Sequence, residues 1–276
     1  MDSRYALGPN EVKQMDTTQL RDAFLIEKIF SKDEVNLTLT HYDRMIAGGA
    51  MPVSKTIDLP NPEGLRAKYL LERRELGIIN IGGTGLVEVD GEKYELQYKE
   101  ALYVGKGKQV IKFSSSDSNK PAKFYINSVP ADMEYPTRKI TLADAVVVEM
   151  GSSETSNKRT INKLIFDEVL PTCRLQMGLT ELHTGSVWNS MPPHTHDRRM
   201  EVYFYFNLAE DQTLCHFMGQ PQETRHIWMH NEQAVLSPIW SIPAGAGTAN
   251  YSFIWGMTGE NLNYTDMDGV AITDLK

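Results

Sequence analysis

Cysteine is scarce: Cys173 and Cys215 are the only two in 276 residues. Two cannot build a disulfide framework, which predicts a reducing, cytoplasmic setting with both used for packing. Long apolar runs are also missing. No stretch approaches the length of a membrane span, and the first residues, MDSRYALGPNEVKQMD, lack the apolar core of a secretory signal. Positive charge is in deficit, with 28 Lys and Arg against 36 Asp and Glu and a formal net charge of −8. That argues against nucleic acid as a partner, because phosphates demand a basic surface. An anionic substrate would need its own local Arg or Lys, since the overall field opposes it.

What is present reads as strands. Hydrophobic residues make up 41% and charged residues 23%, an ordinary globular balance with enough apolar mass for one large core or two smaller ones. Ile78–Ile81, Leu86–Val89, Tyr94–Leu96, Ala101–Val104, Val110–Phe113 and Ala122–Ile126 are short apolar runs separated by Gly, Asn and Asp signals. Asp90-Gly91 is a two-residue hairpin signal. Gly82-Gly83-Thr84-Gly85 lacks the following Lys of a phosphate loop and reads as a turn. A helix is expected near Thr17–Leu25, with a Thr cap. The second half repeats the scheme in Leu175–Leu182, Glu201–Phe206, Ala234–Leu236 and Tyr251–Trp255. Glu72-Arg73-Arg74-Glu75 ahead of Leu76–Ile79 echoes Arg198-Arg199-Met200-Glu201 ahead of Val202-Tyr203-Phe204. Aligning Glu75 with Glu201 sets Lys68 and Leu70 where His194 and His196 stand, so the first half reads as a metal-less copy. The join falls in the polar stretch between Arg138 and Asn157.

The chemistry concentrates in MPPHTHDRRMEVYFYF. His194 and His196 stand two apart, which in a strand directs both side chains to one face. Asp197-Arg198-Arg199 can turn the chain, and Glu201 then opens an aromatic strand running back alongside. Two imidazoles and a carboxylate suit zinc, iron, nickel or manganese. Alternation from Glu201 puts Tyr203 and Tyr205 on the ligand face and Val202, Phe204 and Phe206 on the other. Buried tyrosines with satisfied hydroxyls are the plainer reading of both. His183 and His216 read as packing or surface histidines.

The spacing of His194, His196 and Glu201 ahead of a strand resembles the first metal motif of the cupin superfamily, small jelly-roll β-barrels. Longer strings narrow the resemblance to the 5-keto-4-deoxyuronate isomerase family: Leu71–Gly77, Ser156–Lys163, His194–Phe206, Met218–His226 and Phe253–Met257. It covers essentially the whole chain. It implies an all-β fold of two cupin-like (jelly-roll) β-barrel domains with a few short helices. Residues 1–145 would form a metal-less domain and 146–276 the domain with the metal site. The activity implied is interconversion of 4-deoxy-L-threo-5-hexosulose uronate and 3-deoxy-D-glycero-2,5-hexodiulosonate in pectin and uronate catabolism. Zinc, one per chain, and a homo-oligomer, a hexamer, are implied in the same way. The family holds zinc through two His, a Glu and a further His. His194, His196 and Glu201 match the first three, and Pro243 stands at the fourth, where it offers no ligand atom. Weakened or altered metal binding is therefore expected. His226 and His230 are the nearby residues that could substitute.

Moving the carbonyl from C1 to C2 takes a hydrogen from C2 to C1, either as a proton through an enediolate or as a hydride. Tyr203 or Tyr205 could donate hydrogen bonds or relay a proton. The substrate carboxylate wants a basic fork. Arg159 and Lys163, which lie in a family-like string, are ranked first for it, with Arg225, Arg174 and Arg198 behind. Two other classes stay open: a metal-dependent oxygenase, favoured by the three-ligand count, and a non-catalytic sugar-acid binding protein that has lost its fourth ligand.

Overall fold

Asp90 and Gly91 turn the chain as their dipeptide demands, with φ of 49° and 90°, the left-handed pair of a type I′ turn. The strands that it joins, Gly85–Val89 and Glu92–Leu96, pair residue for residue. This device, strand and tight turn, recurs throughout the computed structural model, which describes residues 1–276. Strands make up 43% of the chain and helix 8%, so the fold is all-β. No helix is long and apolar enough to cross a membrane.

The chain forms two units. One comprises Met1–Ser3, Lys28–Val146 and Lys163–Met177; the other comprises Arg4–Glu27, Val147–Asn162 and Gly178–Lys276. In the first, a seven-stranded sheet runs in the order Asp2–Arg4, Val35–Thr40, Ile46–Ala50, Phe124–Pro130, Arg74–Asn80, Ala101–Val104, Arg138–Ile140. A four-stranded sheet holds Ile57–Asp58, Ile111–Ser115, Gly85–Val89 and Glu92–Leu96. Leu39, Ile78 and Ile126 from the one and Val87, Leu96 and Phe113 from the other belong to a single apolar core, which is what makes two sheets a jelly roll.

The second unit repeats this plan. Its seven-stranded sheet has the order Val146–Met150, Arg159–Ile165, Gln176–Leu182, Ser252–Gly259, Arg199–Phe206, Gln233–Ser237, Leu25–Ile26. Its four-stranded sheet is Trp188–Asn189, Ala244–Gly247, Leu214–Gln220, Glu223–Met229. Arg74–Asn80 and Arg199–Phe206 thus hold the same place, fifth of seven; Glu75 is the second residue of its strand and Glu201 the third. The fold is two cupin-like β-barrels with a few short helices.

Glu75 is fully buried and its carboxylate is filled by protein. Oε1 accepts from the backbone N–H of Arg174 (2.7 Å) and of Leu175 (2.8 Å). Oε2 accepts from the Cys173 N–H (2.9 Å) and the Tyr103 hydroxyl (2.7 Å). Four donors on one carboxylate satisfy a group that would be costly to bury bare.

The expected N-terminal helix is Thr17–Phe24, and its cap is Asp16 rather than a threonine. Asp16 Oδ1 accepts from the Gln19 N–H at 2.9 Å while Gln19 Oε1 accepts from the Asp16 N–H at 2.9 Å. The reciprocal pair is a capping box, which outranks a lone threonine one position on. A second departure lies in the turn before Glu201. Arg199 is no turn residue: the strand begins with it, and all eight of its residues are buried.

Candidate metal centre

His194 and His196 sit on and just after a two-residue strand, His194–Thr195, that pairs with Asp268–Gly269. Glu201 approaches from the central strand, in register with Ser237 on one side and Met257 on the other. One ligand atom from each of the three lies within 4.8 Å of the others. The Nε2 atoms of the two histidines are 3.1 Å apart, and His196 Nε2 is 2.8 Å from Glu201 Oε1. Glu201 is 3% exposed, and its second oxygen, Oε2, is buried with no hydrogen-bond partner. An unpaired buried carboxylate oxygen is expensive. Two nitrogens and a carboxylate converging beside it form a donor set that fits a divalent cation.

The charge states agree. Burial holds the His194 imidazole down at about 4, so it is neutral at pH 7. Burial pushes Glu201 up, but the His196 and His194 imidazoles outweigh it and bring the carboxyl down to about 2. Neutral imidazole and ionised carboxylate are the forms that ligate metal.

The cluster opens on a cavity of about 520 Å³, within the range of small-molecule sites. Arg159, Thr180, Tyr203 and Tyr264 supply polar groups, and Phe253, Trp255 and Met257 an apolar wall. Gly178 lets that wall close: a Cβ there would stand 2.0 Å from Trp255 Cζ2. A larger cavity of about 720 Å³ lies among Trp188, Phe217, Ile242 and Leu275. Lys276 is the one ionisable side chain on its wall, so the chemistry belongs to the smaller cavity.

The other sequence candidates separate. Arg159 lines the cavity at 7% exposure; its Nη1 donates to the Asn157 carbonyl at 2.9 Å and its Nε has no partner. Lys163 belongs to the first unit, 4.0 Å from Glu168 and over the Phe166 ring. Arg225 donates to the carbonyls of Lys13 and Thr224 and to Glu223. Neither Lys163 nor Arg225 lines the cavity. Tyr203 lines it; Tyr205, two residues deeper on the same face, does not. Burial, then the Glu201 carboxylate, holds the Tyr203 phenol well above its ordinary value, so it keeps its proton. Pro243 is buried one residue ahead of Ala244–Gly247. His226 and His230 are exposed and stand outside the cluster.

Two residues escaped sequence reading. His216 is fully buried: its Nδ1 lies 2.8 Å from the Tyr205 hydroxyl, and its Nε2 has no partner. Burial holds it neutral, down at about 3. Strand alternation alone left it a packing histidine, and only the barrel brings it beneath Tyr203, ring centroids 6.0 Å apart. Arg199 had a legible signal. It precedes Glu201 by two, so it shares that face.

Fold and site together define a cupin-type β-barrel protein with a His–His–Glu cluster and a neighbouring cavity. The chain belongs to the KduI/IolB family, whose model matches residues 24–271. Among similar proteins, one from Formosa agariphila is 58% identical over 275 residues, covering 100% of this chain and 98% of the relative. It is named 4-deoxy-L-threo-5-hexosulose-uronate ketol-isomerase. A Bacteroides thetaiotaomicron protein of the same name, numbered 1, is 57% identical over 99% of this chain and 98% of its own length. Among solved structures, an IolB-like protein from Salmonella typhimurium matches with a TM-score of 0.72 at 14% identity, over 90% of this chain and 96% of that one. Oxalate decarboxylase from Lactobacillus farciminis matches with a TM-score of 0.52 at 10% identity, over 73% of this chain and 74% of its own. Both support the fold alone.

Proposed function

We propose that this chain is a 4-deoxy-L-threo-5-hexosulose-uronate ketol-isomerase. The observation that carries this reading is identity of 56–58% along the whole length to proteins of that name, joined to a donor cluster beside a cavity of suitable size. The reaction interconverts that uronate and 3-deoxy-D-glycero-2,5-hexodiulosonate, a step of pectin and uronate catabolism. One hydrogen passes from C2 to C1 and one proton from O2 to O1, so the product is an isomer with no co-reactant.

His194, His196 and Glu201 are the residues that would hold a metal, zinc in this reading and one per chain. A divalent cation there supplies Lewis-acid stabilisation of the oxygens on C1 and C2 as charge develops on them. Arg159 is suited to the substrate carboxylate: its buried Nε–H lacks an acceptor, and a guanidinium fork matches a carboxylate. Tyr203, protonated at neutral pH, donates a hydrogen bond to a substrate oxygen. Tyr205 orients His216 below it. The cavity walls Phe253, Trp255 and Met257 keep water from the reacting carbons. The first barrel, with Glu75 filled by backbone donors, is structural. Both cysteines are free, which suits the cytoplasm, and the family resemblance points to a homo-oligomer, a hexamer.

Metal analysis of protein purified without chelator, followed by an isomerase assay on the same sample, tests this. About one zinc per chain with turnover is expected, and chelation should abolish turnover that added zinc restores. Binding without turnover would leave a sugar-acid binding protein, and oxygen uptake with substrate would make it an oxygenase. Two variants refine the reading. Arg159→Met should raise KM about 10- to 100-fold with little change in kcat, the loss of one charge-assisted bond. An unchanged KM would remove Arg159 from the substrate. Pro243→His should tighten zinc binding about tenfold or more, roughly 1.4 kcal/mol. Equal affinity in titration would show that position 243 does not limit the site.

A further inference from the structure

Arg199 is 1% exposed and begins the strand that holds Glu201. Its guanidinium meets one short stretch of backbone. Nη1 donates to the Asn263 carbonyl at 2.6 Å, and Nη2 to those of Tyr264 at 2.9 Å and Asp266 at 3.2 Å. Its Nε stands 3.2 Å from His196 Nδ1. The Asp266 carbonyl lies 2.8 Å from that same Nδ1. Arg199 and the Asp266 carbonyl thus meet the ring at one nitrogen, Nδ1, and hold its plane so that Nε2 faces Glu201 and His194.

The stretch held this way is a wall of the cavity. Tyr264, Met267 and Gly269 line it, and Asp268–Gly269 pairs with His194–Thr195. Residues 261–266 form no strand of their own. They are folded locally by side-chain turns, Asn261 Oδ1 accepting from the Asn263 N–H and Asn263 Oδ1 from the Thr265 N–H, each at 3.0 Å. Such turns shape a loop but do not dock it. Beside the strand pairing at Asp268–Gly269, the buried guanidinium docks the loop, its rigid planar fork donating to three carbonyls at once.

We propose that Arg199 is a positioning residue. It clamps the 261–270 stretch against the cavity and, through the Asp266 carbonyl, sets the ring orientation of His196. Wall and metal-ligating set therefore form together. The inference rests on the metal site of the reading above, and not on the isomerase activity.

The test uses the full-length protein with zinc and no substrate. In the wild type, hydrogen exchange of the 261–270 amides should slow several-fold when zinc is added, while the strand Glu223–Met229 is unaffected. Arg199→Lys and Arg199→Met should weaken zinc binding by about 10- to 100-fold, the usual effect of removing a group that orients a metal-bound histidine. In both, the zinc response of 261–270 should vanish. Zinc uptake with unchanged exchange in the wild type overturns the coupling, even if neither variant folds. Variants with wild-type zinc affinity overturn it as well. A wild type that takes up no zinc overturns the metal site with it, whereas lost turnover alone touches only the isomerase reading.

Discussion

Glu201→Gln is expected to strip the metal and to lower isomerase turnover about a thousandfold or more while leaving the fold intact. Glutamine keeps the shape of the side chain and can still meet His196 Nε2, now 2.8 Å from Oε1. What it loses is the charge. Two neutral imidazoles and an amide leave a buried divalent cation without a counter-charge, and the Arg199 guanidinium is close by. Attraction between a cation and a carboxylate at such a site is worth several kcal/mol. About 4 kcal/mol corresponds to a factor of a thousand in rate. Zinc content by elemental analysis and kcat on the same preparation decide the matter. A Gln variant that keeps one zinc and full turnover would exclude Glu201 as a ligand. Asp at 201 keeps the charge but shortens the reach by a methylene, so it should fall between the two.

Glu75→Ala should lower stability by about 3–5 kcal/mol, with zinc content unchanged. The substitution leaves the N–H groups of Cys173, Arg174 and Leu175 and the Tyr103 hydroxyl without the oxygens they now meet at 2.7–2.9 Å. It also opens a hole in a fully buried place. Urea unfolding measures the loss. A cost below about 1 kcal/mol would mean that these donors find other partners. Gln at 75 should be little better, because its amide nitrogen would face backbone N–H groups that need an acceptor. The pair of variants separates two carboxylates on corresponding strands: one is expected to act on metal, the other on stability.

The strand of Glu201 was legible because a carboxylate heading the run VYFYF has no apolar reason to be there, and because alternation puts Glu201, Tyr203 and Tyr205 on one face whatever the fold. Asp90-Gly91 fixed its hairpin for an equally local reason: both residues tolerate positive φ. The His194–Glu201 spacing was similarly readable, since the three lie within eight residues and need only a short turn to converge. These are properties of neighbours along the chain.

Distance in sequence hid the rest. Arg159 and Lys163 share one family-like string, and only the tertiary structure lines the cavity with Arg159 while setting Lys163 against Glu168. Asp266 reaches His196 across 70 positions, and no periodicity announces a carbonyl. Arg225, a candidate ranked behind Arg159, has its guanidinium on the carbonyls of Lys13 and Thr224. His216 carried the pattern of a packing residue, and became a buried imidazole with one free nitrogen only once the barrel closed around it. Sequence alone therefore determined the strand chemistry, the all-β class and the three converging donors, because local geometry dictates them. Which charges face the cavity, and what holds the histidines in place, was decided by burial and long-range backbone contacts that exist only in the folded chain.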